Sequence, residues 1–166
     1  MRCRMKPYTT LPSLASVLTA ATLALASATM ADADWQYTTW GSSPEAVVAA
    51  SNGVATANPN RDKDSSPNRA LLTAPYEGLG FAFDAYFQFD AANRLVFVDL
   101  EPRNPSDCRE IRFGLTSTYG KPDETGSFGL IKWWNRDTRN GVVYYEIETC
   151  YLRYMPYVEP NAEGGL

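Results

Sequence analysis

The stretch FAFDAYFQFD, residues 81–90, constrains this chain more than any other. Phe81, Phe83, Ala85, Phe87 and Phe89 take every second position, and Ala82, Asp84, Tyr86, Gln88 and Asp90 take the rest. Successive side chains of an extended strand point to opposite faces, so this spacing predicts a strand with one buried and one wet face. A helix would scatter the same phenylalanines around its axis. The neighbouring segments continue the scheme. Residues 90–93 read as a turn, RLVFVDLEP as a second strand closed by Pro102, and RALLTAPYE as a third ending near Pro75. Connections this short make the strands antiparallel, because parallel neighbours need a crossover of about a dozen residues.

Helix signals precede each group of strands. In GSSPEAVVAASNG, Ser42 or Ser43 can cap a helix over 44–51, Pro44 suits its first turn, Glu45 faces the positive end of its dipole, and Asn52-Gly53 stops it. Residues 53–68 form a long polar loop rich in Asn, Asp, Ser and Pro, of the kind that is either functional or disordered. Asn104 to Asp107 opens a second helix, with Asp107 and Glu110 spaced as a capping box. Cys108, Ile111, Leu115 and Tyr119 share one of its faces, and Gly120 with Pro122 ends it. Three strand candidates follow, SFGLIKWWN, GVVYYEI and CYLRYMP, with Asn140-Gly141 as a hairpin signal between the first two. Whether 142–156 is one strand or two stays open at this point. The expected fold is α+β: an antiparallel sheet of five to six strands with two helices packed on one face, helix-strand-strand-strand repeated twice.

The N-terminus reads as an export signal. Arg2, Arg4 and Lys6 precede a stretch without charge, within which Leu14 to Ala26 is apolar and small residues follow. That is the layout of a cleaved secretory leader over 1–31, cut after Ala31, with Ala28 and Ala33 as alternatives. The apolar core is too short for a membrane span. The expected mature protein is a single domain over 32–166, with 157–166 a flexible tail, and it is periplasmic or else extracellular. Of three cysteines in the chain, Cys3 leaves with the leader. Cys108 and Cys150 then remain in an oxidising compartment, where an isolated pair reads as one disulfide. Two free buried thiols are the alternative.

Composition narrows the chemistry. With no histidine among 166 residues, the chain lacks an imidazole for a Ser-His-Asp or Cys-His pair or for metal ligation. Nineteen acidic residues against 15 basic ones leave no positive field for nucleic acid. Carboxylates are the remaining acid-base groups: Asp84, Asp90, Asp99 and Glu101 lie on adjacent strands, and a pair at ~5–9 Å can serve glycoside hydrolysis. The plainer reading is a solvated strand face. Asp62, Asp64, Ser66 and Asn68 alternate like calcium ligands, but Pro67 and Thr73 stand where an EF-hand loop needs Gly and Glu. GLTSTYGK, residues 114–121, has the wrong glycine spacing for a phosphate loop. The expectation is therefore no cofactor and no metal.

Trp40-Gly41-Ser42-Ser43-Pro44-Glu45-x-Val47, together with Tyr119-Gly120-Lys121-Pro122, resembles small exported bacterial proteins whose helices begin in this way. The repeated helix-then-strands layout is similar to the β-lactamase-inhibitor-protein fold and to small outer-membrane-assembly lipoproteins of that fold. The lipidated cysteine of those lipoproteins is absent here, and the inhibitor repeats a larger unit. The resemblance implies a partner-binding role and transfers no individual residue.

The aromatics of the second half supply the candidate site. Neighbouring strand residues face opposite ways, so Trp133-Trp134 and Tyr144-Tyr145 each put one member on the outer face. With Arg136, Arg139 and Arg153 nearby, these four have the composition of a protein interface or sugar platform. The alternative is an outer face shielded by the long loop or the tail. The sequence thus points to an exported, non-catalytic protein that binds another envelope or extracellular protein as an adaptor or inhibitor. A carboxylate-dependent glycan-acting enzyme and a purely structural domain are the alternatives.

Overall fold

The computed structural model describes residues 35–127 and 129–157. The expected leader with its cleavage positions, Phe128, and all of the expected tail but Tyr157 lie outside the described residues. The chain runs through α1 (Pro44–Ala50), β1 (Thr56–Ala57), a 3₁₀ turn (Arg61–Lys63), β2 (Arg69–Gly78), β3 (Phe81–Phe89) and β4 (Leu95–Pro102). A second 3₁₀ turn (Pro105–Asp107) leads into α2 (Cys108–Tyr119), followed by β5 (Glu124–Thr125), β6 (Ile131–Asn135), β7 (Asn140–Glu146) and β8 (Cys150–Pro156). Among the described residues no helix is long and apolar enough to cross a membrane.

The strands form one antiparallel sheet in the order β1-β2-β3-β4-β8-β7-β6-β5. Each half is a meander, and the two meet through their last strands, where Val98, Asp99 and Leu100 pair with Tyr154, Arg153 and Leu152. An α+β mixture is present, but the expected five to six strands with two helices packed on one face are corrected to eight strands with two short helices. Seven and twelve helical residues span roughly 10 and 18 Å, against roughly 34 Å across eight strands, so the helices do not form a covering layer. Only Val47 of α1 and Cys108, Ile111 and Leu115 of α2 are buried. Each half carries one strand more than expected, because β1 and β5 are two residues long and too short to show a period.

The inward half of the β3 alternation is realised from Phe83 onward, whereas on the face expected to be wet Gln88 is buried. Phe83, Ala85, Phe87 and Phe89 are all within 1% of full burial and join Leu72, Ala74, Leu100, Tyr144 and Leu152 in the core that Val47, Ile111 and Leu115 complete. Each fully buried phenylalanine contributes about 1.5–3 kcal/mol by removing apolar surface from water. A disulfide joins Cys108, the first residue of α2, to Cys150, the first of β8. The Tyr144 hydroxyl donates to the Cys108 carbonyl at 3.1 Å, tying the same corner again.

Several local expectations shift. The 142–156 segment is two strands, β7 and β8. The hairpin between β6 and β7 turns at residues 136–139, with Arg139 at φ 54°, while Asn140 and Gly141 already belong to β7. Gly141 serves its cross-strand neighbour instead: a Cβ there would collide with the ring of Trp134, which lies over it. Strand β2 runs through Pro75 to Gly78 because its pairing with β1 stops at Thr73. Beyond that point it is an edge, where a missing N–H breaks no ladder bond. Ser43 caps α1 as one of the two expected candidates. The capping box of α2 does not form: Asn104 caps the preceding 3₁₀ turn, and Asp107 makes no side-chain cap bond.

Candidate functional site

On the inner face of the sheet, where the two halves meet, rings from five separate stretches surround a cavity of about 270 Å³. Trp35 stands in a short turn closed by its bridge to Thr38, and it lies 5.3 Å from the ring of Tyr76 and 6.2 Å from that of Tyr154. Tyr119, at the C-terminal end of α2, lies 6.1 Å from Trp133 of β6. The Trp133 indole N–H donates to the Gly120 carbonyl at 3.0 Å, which fixes the ring against the helix stop. The Tyr119 and Tyr154 hydroxyls bond each other at 3.1 Å. Burial, then Tyr119, pushes the Tyr154 phenol well above its usual range, and burial likewise raises Tyr76.

The rim of this cavity is neutral. Gln36, Asn135, Thr138 and Asn140 border it, and among the described residues no Asp, Glu, Lys or Arg does. The rim groups hydrogen-bond among themselves and their neighbours: Gln36 Nε2 donates to the Tyr76 hydroxyl at 3.3 Å, Asn135 Oδ1 accepts from the Thr138 N–H at 3.0 Å, and Asn140 Oδ1 accepts from Trp40 Nε1 at 2.9 Å.

A more open groove of about 530 Å³ adjoins the cavity at the β6 edge and shares Tyr119, Trp133 and Asn135 with it. Its far side carries Trp134, Arg136, Asp123 and Asp137. Here β5 protects the edge of β6 for two residues, and Asp123 continues the protection by accepting the Trp134 N–H at 2.8 Å.

The four aromatic candidates divide between faces as the alternation requires. Trp133 and Tyr144 share the inner face with their cross-strand neighbours Val142 and Leu152, while Trp134 and Tyr145 face outward. Tyr144 is fully buried and offers no surface, and Tyr145 stacks on Tyr151 at 4.6 Å. Only Trp133 and Trp134 of the four reach the groove. The reading of the outer face as shielded by the long loop also has a place, around β3 and β4. Ser65 bonds Arg153 and Gln88, Lys63 pairs with Glu101, and Lys63 stands 5.3 Å over the Tyr86 ring.

The candidate carboxylates are individually occupied. Arg153 binds both oxygens of Asp99, at 2.7 and 3.0 Å, with Gln88 Nε2 donating at 3.3 Å. Burial pushes the Asp99 carboxyl up, against the lowering effect of Arg153 and Gln88. Asp84 pairs with Arg103 at 2.8 Å, and Asp90 holds its own turn through Arg94 and the Ala92 and Arg94 N–H groups. Asp84 and Glu101 are directly opposite across β3 and β4, yet none of the four borders the cavity or the groove. In the long loop, Asp64 accepts the Ala70 N–H and pairs with Arg61. Among the described residues no three metal-ligating side chains converge.

Trp35, Tyr76, Tyr119 and Tyr154 were not legible as one site, since they lie far apart in the chain. One signal was present: with Cys150 inward through its disulfide, alternation along β8 places Leu152 and Tyr154 inward too. No protein-family model matches this chain, and no curated protein or solved structure matches it.

Proposed function

We propose that this is an exported, non-catalytic protein that binds another envelope or extracellular protein, as an adaptor or inhibitor, through the groove along β6. The observation that carries the reading is the convergence of Trp133, Trp134, Tyr119 and Arg136 on one open groove. Trp, Tyr and Arg are the side chains that dominate binding energy at protein interfaces, above all beside a pocket that excludes water. The occupation of Asp84, Asp90, Asp99 and Glu101 by cations, away from either concave surface, favours binding over carboxylate catalysis.

The test is capture followed by reconstitution. Immobilised protein is incubated with envelope extract, and the retained protein is identified, purified and titrated. Trp134→Ala and Arg136→Ala are each expected to weaken the purified complex at least tenfold, with thermal melting showing that both variants remain folded. A retained protein that binds both variants as tightly as the parent chain refutes the groove, and no specific retention refutes the function.

A further inference from the structure

We infer that the inner-face cavity takes an uncharged aromatic group, a phenyl, phenol or indole ring; its assignment to a side chain of the bound partner rests on the reading just given. Three properties of the cavity select this class. The first is charge. Among the described residues the lining has no ionic side chain, so a carboxylate, phosphate, ammonium or guanidinium entering it would lose its water and gain no counter-ion from them.

The second property is the state of the polar rim. A saccharide brings several hydroxyls and needs several convergent partners at once. Here the Gln36 amide nitrogen, the Asn135 and Asn140 oxygens and the hydroxyls of Tyr119 and Tyr154 each already hold a hydrogen bond within the protein. Trp35 and Trp133 are 4% and 3% exposed, so they offer ring edges and slivers of face rather than flat stacking platforms.

The third property is shape. About 270 Å³ falls just below the roughly 300 Å³ at which pockets for drug-sized ligands begin, and it matches one large side chain rather than a chain of rings. The wall rings meet at tilts of 54° for Trp35 with Tyr76, 54° for Trp35 with Tyr154, and 38° for Tyr119 with Trp133. Tilted walls leave a wedge in which a further ring meets its neighbours edge to face, the favoured aromatic geometry. The groove shares Tyr119, Trp133 and Asn135 with the cavity, so a segment lying along β6 can turn one residue inward.

The experiment titrates the full chain with N-acetyl-tryptophanamide, N-acetyl-lysinamide, N-acetyl-aspartamide carrying a free side-chain carboxylate, and chitotriose, and follows the Trp133 indole N–H and the Asn140 amide by NMR. The expected result is saturable shifts of both resonances with the tryptophan probe at millimolar concentration and none with the others. Thr138→Trp, at an exposed rim position, is expected to fill the cavity and weaken the tryptophan probe at least tenfold while the remaining spectrum keeps its dispersion. No shift with the tryptophan probe, equal shifts with a charged probe, or preferential binding of chitotriose at these resonances overturns the inference. If the purified partner binds the Thr138→Trp variant as it binds the parent chain, the groove stands and the cavity assignment falls. If the probe binds but no partner is retained, the ring specificity stands and the partner reading falls.

Discussion

The two faces of this sheet use the same strands and hold the protein together by different means. The inner face is apolar and aromatic, closed by Phe83, Phe87 and Phe89 and clamped at one corner by the disulfide. The outer face near β3, β4 and β8 carries Gln88, Asp99, Glu101 and Arg153, and the polar segment 58–68 is bound to it by ion pairs and hydrogen bonds. Asn58 anchors the start of that segment by donating to the Ala70 and Asn60 carbonyls. Apolar contacts are non-directional, and the inner face carries a ring-lined cavity at the meeting of the two halves. A buried polar layer must satisfy every group, so the outer layer is a closed network, and no buried side-chain atom among the described residues lacks a partner.

Perturbing each face separately sharpens this contrast. The largest effect is expected from the disulfide, whose partners are 42 residues apart: in the loop-entropy model Cys108→Ser with Cys150→Ser costs roughly 4 kcal/mol, measured by denaturant unfolding. Next is the outer network. Arg153→Ala strands a carboxylate whose side chain is only 11% exposed and is expected to cost about 3 kcal/mol. Arg153→Met combined with Asp99→Leu removes both charges and should cost clearly less than the single change. Equal losses would mean that the pair acts by packing against Phe97, which the guanidinium overlies at 3.8 Å, rather than through charge. The smallest effect appears only at alkaline pH. Tyr144 and Tyr154 are held neutral by burial, so their folded-state pKa values lie above the unfolded 10.0. Their contribution is fully present below that value and is lost as pH rises beyond it. Melting temperature should therefore fall above pH 10, and Tyr154→Phe should flatten the fall.

What could be read from the chain follows the range of the forces involved. Helix α1, strand β3 and the partners of the disulfide are set by neighbours a few residues away or by a lone cysteine pair, and they were legible. Strands β1 and β5 exist because a longer strand offers them an edge, and two residues carry no period. Asn140-Gly141 misled for a related reason. Its local preference is a tight turn, but Gly141 is needed where the Trp134 ring crosses the sheet, a requirement set on another strand. The cavity was legible only in pieces: Trp133 was singled out, whereas Trp35, Tyr76 and Tyr154 join it through pairings between distant strands.

The junction between β4 and β8 also has a kinetic consequence. Within each half the strands β2 to β4 and β5 to β8 follow one another through short connections, so their contacts close small loops. The junction joins residues such as Asp99 and Arg153, 54 positions apart, through three paired positions. Loop-closure entropy grows with that separation, which places the union of the halves late in folding, after the two meanders have formed. Because Trp35 and Tyr76 come from one half and Tyr119, Trp133 and Tyr154 from the other, the cavity comes into existence at that last step. Occupancy of the cavity thus reports completed assembly of the whole sheet, and any ligand held there stabilises the assembled state over the separated halves.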